Sequence, residues 1–377
     1  MPTSRDIIRA LLVERQPIRV GLREVEIWPE TIQAWLEQGY PTEEVVTEDG
    51  MVRSQSVDWV SHFGFDLFRA GPAFLLDSQP IRGYSEVIAE TDEWIITRNG
   101  AGAAVKAWKH RAGAREHVDH RMTSRAIWER DYRPHLLHLD RARVNIEGAR
   151  QGLAQRHSQG LYAYFQAGLL FQLASGFMGD VDFWQALVLD PDWILDINRV
   201  YTDFYLAHWK LLLDEAGIPD GVRLIDDFAY RGGLFASPKT MRTMYLPFYR
   251  EIVDFLHGYG LPVELHVCGD ARAAIPLLLE AGFDILNPLE RKAGMDPLAL
   301  AEQYGDRLAF IGGMDVRILE TGDLAEIKRE VIRLVTGMKE RGGRFIWGSD
   351  HSVPPTVDYR SYRYACEVCR EYGEYAP

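Results

Sequence analysis

Residues Leu261 to Asp270 read LPVELHVCGD. Pro262 leads into a short apolar run and Gly269 ends it, so Val263 to Cys268 is expected to form a buried strand. Side chains alternate across a strand, which puts Glu264, His266 and Cys268 on one face. An imidazole and a thiol two residues apart can fill two corners of a tetrahedral zinc site. The same pair also suits an ordinary buried thiol beside an interior histidine, so the surrounding chain has to decide.

Working outward, similar apolar runs recur at Tyr162 to Ala167, Val222 to Phe228, Ile285 to Leu289, Leu308 to Gly312 and Arg344 to Gly348. Most are separated by segments of helical periodicity, such as Met241 to His257 and Leu324 to Lys339. This alternation implies parallel strands joined by right-handed crossovers. With one strand near residue 25 and one more that is not placed, the count approaches the eight of a closed barrel. No G-x-G-x-x-G follows a first strand and no G-x-x-x-x-G-K occurs, which leaves Rossmann and P-loop folds without support. The fold class expected is α/β, a distorted TIM (β/α)8 barrel with an N-terminal helical and β-hairpin excursion, as a single domain over residues 1–377.

The earlier part of the chain has a different texture. Residues 1–13 have helical spacing, Arg19 to Trp28 alternates towards a first strand, and Pro29 opens a helix through Leu36. Short β-like runs at Tyr84 to Glu90, Glu93 to Arg98 and Ala103 to Trp108, the last two joined by Asn99-Gly100, mark an antiparallel hairpin insertion over about 81–125. Residues 126–158 read as a helical surface segment.

A 47% apolar content is ample for a large core, and a net charge of −13 argues against nucleic acid or an anionic membrane as partner. Three cysteines form no disulfide framework, which suits a reducing compartment. No apolar run approaches the roughly 18 residues of a membrane span. Leu11 and Leu12 are followed too soon by Glu14 and Arg15 for a signal peptide. A cytoplasmic protein is expected.

Polar residues gather at the strand ends: Asp226, Asp227 and Tyr230 after one, His266 to Asp270 after the next, then Asn287 to Glu290, Gly312 to Asp315 and Gly348 to His351. In a barrel these ends form one rim, so the side chains would converge on one cleft. Any single member also fits a structural role, as Asp315 fits a helix cap.

Trp28-Pro29-Glu30-Thr31, His62 to Asp66, Asp226-Asp227-Phe228 through Ser237-Pro238, Leu246 to Tyr249, His266-x-Cys268-Gly269, Gly312 to Asp315 and Asp350 to Pro355 follow one another along nearly the whole chain. Together they resemble the uroporphyrinogen decarboxylase superfamily, and within it the cobalamin-linked (corrinoid) methyltransferase branch. The resemblance implies a distorted (β/α)8 barrel with its site at the strand C-terminal ends. It also implies a zinc held by a His-x-Cys pair and a later Cys. His266 and Cys268 match the first two positions, but the later Cys is absent. Asp350 and His351 stand in that loop, while Cys366 and Cys369 fall in an apparent C-terminal helix. The expected metal ligands are His266, Cys268 and His351, with Asp350 competing for the third place. Decarboxylases of the family resemble one another in an Arg-rich N-terminal loop. Here Val20 to Trp28 holds one Arg and two Glu, a poor match for a polyanionic tetrapyrrole.

The function that the resemblance implies is a zinc-dependent methyltransferase, moving a methyl group between a small substrate, such as an aromatic methyl ether, and a corrinoid. The corrinoid would be carried on a partner protein, because no Asp-x-His-x-x-Gly stretch occurs. One thiolate fewer leaves a more electrophilic metal, which favours the demethylating direction. Asp227, Tyr230, Asp350 and Glu290 are the expected catalytic groups, as acids or as supports for the histidines. Trp28, Phe63, Phe65, Asp315 and Trp347 would bind the substrate. Two other readings stand beside this one, a cofactor-free decarboxylase or tautomerase using Asp227 and Tyr230 and a non-catalytic ligand-binding barrel. A homodimer is compatible with all three.

Overall fold

In the computed structural model, which describes residues 2–46, 51–110 and 116–375, eight parallel strands form one sheet. They are β1 Gly21–Leu22, β2 Leu67–Arg69, β3 Tyr162–Gly168, β4 Gly221–Ile225, β5 Val263–His266, β6 Ile285–Asn287, β7 Ala309–Ile311 and β8 Phe345–Trp347. Every strand lies beside its sequence neighbour, and β8 returns to pair with β1. Between β1 and β2 the Asp66 amide donates to the Leu22 carbonyl at 2.8 Å, and Asp66 Oδ2 accepts from the Leu22 amide at 2.8 Å. The sheet is thereby nearly closed into a barrel surrounded by helices, the α/β class that the alternation implied.

The unplaced strand is β2, three residues long and too short for a period to show. The strand expected near residue 25 lies at Gly21–Leu22. Three strands, β4, β5 and β6, stop two or more residues before the ends of their apolar runs. β4 ends at Ile225, and the Asp226 carboxylate accepts from the Phe171 and Gln172 amides at the start of the helix Leu170–Met178, which follows β3. β5 ends at His266, shortly before Gly269 takes a φ of 84°.

The barrel floor is apolar. Ile8, Leu11 and Leu12 of the N-terminal helical segment cluster there with Leu67, Tyr162, Ile285, Ala309, Ile311 and Ile346. One step along the strands the interior becomes charged. Arg23 Nη1 lies 2.6 Å from Glu264 Oε2, and Arg223 Nε lies 3.2 Å from Glu264 Oε1. Arg23 also donates to Tyr164 Oη at 3.0 Å, and Arg223 to Gln166 Oε1 at 3.2 Å. Buried ions cost several kcal/mol each unless paired, so this layer is stable only as a set.

Outside the barrel, Ser85–Glu90, Trp94–Asn99, Ala104–Trp108 and Glu116–Asp119 make a four-stranded antiparallel sheet. Residues 111–115 lie outside the described residues. The second and third strands are joined by a longer turn than a two-residue Asn-Gly loop. Asn99 Oδ1 accepts from the Ala101 and Ala103 amides, and Gly102 takes the positive φ. The stretch read as one helical surface is broken around Pro134 into short turns before the helix Ile146–Ser158. Among the described residues, no helix is long and apolar enough to cross a membrane.

Candidate metal centre and adjoining cavity

At the C-terminal end of β5 the imidazole of His266 faces Asn287 at the end of β6, its register partner. His266 Nδ1 and Asn287 Oδ1 are 2.6 Å apart. The Asn287 amide nitrogen donates to the Ile311 carbonyl at 3.3 Å, which leaves Asn287 Oδ1 to accept from His266 Nδ1–H. Nε2 is therefore the unprotonated nitrogen, and it points at Cys268 Sγ across 3.6 Å. Burial, and then the nearby Arg223, hold the imidazole pKa well below its usual value, so the ring stays neutral.

The third group comes from the next strand. Ile225 is paired with His266, so Asp227, two residues on, lies beside Cys268. Asp227 Oδ1 accepts from the Cys268 amide at 2.8 Å, and Oδ2 accepts from Gln172 Nε2 at 3.3 Å. Ligand atoms of Asp227, His266 and Cys268 all lie within 4.8 Å of one another. Burial raises the carboxyl pKa of Asp227, and burial next to Asp227 and Glu290 raises that of the Cys268 thiol.

These residues fit a zinc ion. Bonds of about 2.3 Å to sulfur and about 2.0 Å to nitrogen at a tetrahedral angle put those two atoms about 3.5 Å apart, close to the 3.6 Å found here. If these three residues held a zinc ion, a fourth position would be left for a reacting molecule, as in catalytic zinc sites. His351 is not in this group of ligand atoms, although it is near enough for its charge to disfavour protonation of His266.

The other rim residues hold the loops. Glu290 Oε2 accepts from the Gly269 amide at 2.6 Å, and its other oxygen meets Lys292 Nζ at 2.8 Å. Asp350 accepts from the Arg291 amide at 2.7 Å and the Val316 amide at 3.0 Å, tying together the loops after β6, β7 and β8. Burial raises the Asp350 carboxyl pKa to about 6. Asp315 caps the helix Val316–Glu320 and pairs with Arg317. Burial opposes its charge, but the Arg317 hydrogen bonds keep its carboxyl below the ordinary range. Tyr230 is half exposed and stacks on Phe235, with ring centroids 5.1 Å apart.

Of the aromatic residues expected to bind substrate, Phe63, Phe65 and Trp347 are buried, whereas the Trp28 amide donates to the Val353 carbonyl in the loop after β8. Phe63 and Phe65 sit in the core, where Phe63 packs edge-on against Trp35 at 5.7 Å and Tyr362 at 5.0 Å. Trp347 is fully buried. Its strand neighbour Ile346 belongs to the barrel interior, so Trp347 points outward to the helices. Trp28 is partly buried and precedes the helix Pro29–Glu37.

Sequence reasoning did not assign roles to Asn287, Gln172 or Arg223. Asn287 had a signal, since it stands in one of the polar strand ends. Gln172 is visible in the sequence only as a polar break in an apolar run. A cavity of about 1010 Å3 opens beside the centre, lined by Gln172, by the ends of β3 and β4, and by residues of the inserted sheet.

The sequence profile of the uroporphyrinogen decarboxylase (URO-D) family matches residues 172–372, more than half of the chain. A uroporphyrinogen decarboxylase of Streptomyces coelicolor is 29% identical over 171 residues, 45% of this chain and 44% of that protein. The chain thus aligns with less than half the length of that relative. A methyltransferase from Methanosarcina mazei shares the fold, with a TM-score of 0.67, 14% identity and 99% of each chain covered. The barrel and the profile agree: the chain belongs to the uroporphyrinogen decarboxylase family.

Proposed function

We propose that this protein is a methyltransferase that binds zinc through Asp227, His266 and Cys268 and moves a methyl group between a small methylated molecule and a corrinoid carried on a partner protein. The observation that carries the proposal is the cluster of one carboxylate, one imidazole and one thiol at the barrel mouth. The shared fold with the Methanosarcina methyltransferase supports it. When bound, zinc would lower the pKa of the thiol and act as a Lewis acid on an oxygen at its fourth position.

The residues of the chain prepare that chemistry. Asn287 fixes the His266 tautomer so that Nε2 is free to ligate. On ligation Cys268 would give up its thiol proton to solvent. Asp227 holds the Cys268 backbone through one oxygen and touches Gln172 with the other, so it orients the sulfur and faces the cavity side. A single thiolate beside a carboxylate and an imidazole donates less charge than two thiolates, which favours removal of methyl from an oxygen over methylation of a thiol.

The test starts with elemental analysis. About one zinc per chain is expected in the wild type and far less in His266→Ala or Cys268→Ser. Incubation with Co(I) cobalamin and a panel of methyl ethers should then yield methylcobalamin absorbance with the wild type alone. A wild type that neither contains nor takes up zinc would overturn the proposal. Family membership itself favours the alternative of a decarboxylase that works without a cofactor, with Asp227 and Tyr230 handling the proton. Its mark would be CO2 release from uroporphyrinogen that survives removal of metal by a chelator. Arg23, 1% exposed and paired with Glu264, is poorly placed to bind so anionic a substrate.

A further inference from the structure

The ion layer beneath the candidate centre is out of balance. Arg223 of β4 stands level with its register partners, Gln166 of β3 on one side and Glu264 of β5 on the other. Arg223 is 6% exposed and Arg23 1%, and among the described residues Glu264 is the only acid that pairs with either. Two guanidinium groups against one carboxylate leave one positive charge over. Arg23 takes the better share of Glu264. Burial opposes its charge, but Glu264 and Tyr164, both hydrogen-bonded to it, outweigh burial and raise its pKa. Arg223 Nε faces Glu264 Oε1 at 3.2 Å without hydrogen-bond geometry. Burial, and then the charge of Arg23, lower the Arg223 pKa in spite of Glu264.

Arg223 also has a donor to spare. Nη1 donates to Gln166 Oε1, and Gln166 is held in that orientation because its Nε2 donates to the Ala73 carbonyl at 2.7 Å. Nη2 makes no hydrogen bond among the described residues, and whereas Nε is sealed from solvent, Nη2 is not. Strand alternation sets Ile225 and His266 one step above Arg223 and Glu264, with Asp227 and Cys268 one step higher again. Arg223 has the largest charge effect on His266 and acts on Asp227 and Cys268 as well, so its guanidinium lies beneath all three. Asp227 forms no ion pair with it; the Asp227 oxygens are taken by the Cys268 amide and Gln172. Above Gln166 comes Gly168, the register partner of Ile225, where a Cβ would meet no atom within 4 Å. The barrel interior is therefore open on this side between the centre and Arg223.

We propose that Arg223 Nη2 anchors a carboxylate of the substrate, which is then a small methylated monocarboxylate standing in the barrel mouth with its anionic end below the level of His266. One uncompensated positive charge matches one carboxylate. A guanidinium N–H in a water-poor interior holds a charged acceptor more strongly than a neutral one. The body of the molecule occupies the space beside Gly168 and Ile225. The proposal rests on the proposed function for the fate of the methyl group, whereas the anion site is a property of Arg223 and needs no metal.

Calorimetric titration of the full chain, stripped of metal by a chelator, with 4-methoxybenzoate and with its uncharged methyl ester tests the site. The wild type should bind the carboxylate saturably and at least about tenfold more tightly than the ester. Arg223→Met should abolish that preference by weakening the carboxylate about tenfold or more while leaving the ester unchanged. Gly168→Leu keeps the ion layer and fills the space above it, so it should weaken the carboxylate as well. Circular dichroism checks that each variant is folded; should Arg223→Met fail to fold, the wild-type comparison and Gly168→Leu decide. Equal binding of carboxylate and ester by the wild type, a carboxylate preference that survives Arg223→Met, or full carboxylate affinity in Gly168→Leu would each overturn the proposal. Arg223-dependent carboxylate binding by a protein that takes up no zinc would sink the metal reading and leave the anion site. Zinc uptake without any preference for the carboxylate would do the reverse.

Discussion

His266 and Asn287 meet across the β5–β6 ladder, Nδ1 to Oδ1 at 2.6 Å, and this contact decides which imidazole nitrogen faces Cys268. Removing the acceptor frees the ring to rotate and to change tautomer. Asn287→Ala should weaken zinc binding by about 10–100-fold, whereas Asn287→Asp, which keeps an acceptor, should retain most of it. Competition with a chromophoric chelator measures both.

The sequence leaves Asp350 and His351 in competition for the third ligand, whereas the cluster at the barrel mouth contains Asp227. Asp227→Ala should lower zinc content at least as far as Cys268→Ser does, while His351→Ala should keep about one zinc per chain. If His351→Ala loses the metal and Asp227→Ala keeps it, the assignment of Asp227 is wrong.

Gly269 follows the metal pair with a φ of 84°, and a Cβ there would lie 2.6 Å from the Tyr230 backbone. Neither strain can be relieved by a side-chain rotation. Gly269→Ala should destabilise the fold by more than about 1 kcal/mol in urea titration and should also lower zinc content, since the loop carrying Cys268 must shift.

Among the described residues, Glu264 is the one acid paired with Arg23 and Arg223 inside the barrel. Glu264→Gln leaves two buried guanidinium groups to repel each other, at a cost of about 3–5 kcal/mol. Adding Arg23→Met should recover part of that loss. A denaturation midpoint unchanged by Glu264→Gln would show that the layer is solvated in solution.

Asp350 gives a pH dependence of known sign. Its folded carboxyl pKa is raised from 3.8 to about 6 by burial, so the folded state holds the proton more tightly than the unfolded chain. The stability that this contributes is complete below 3.8 and is lost as pH rises to about 6, at up to about 1.4 kcal/mol per pH unit. The stability of the wild type relative to Asp350→Asn should therefore fall between acidic and neutral pH and level off above the folded value. A difference that grows with pH in that window would contradict it.

Much of the barrel was legible because it depends on local pattern. Buried parallel strands read as apolar runs, and crossover helices read as a longer period, so six strands and their polar ends stood out. β2 did not, because three residues carry no period, and neither did the long turn after Asn99, whose geometry depends on Gly102.

The chain by itself determined the fold class and the pairing of His266 with Cys268, since both follow from alternation along one strand. The third member of the cluster, the residue that fixes the His266 tautomer and the cavity beside them were decided by the tertiary structure. Register between β4, β5 and β6 sets Asp227 beside Cys268 and Asn287 beside His266. Contacts between strands that lie tens of residues apart are fixed by closure of the whole barrel, and no local period in the sequence encodes them.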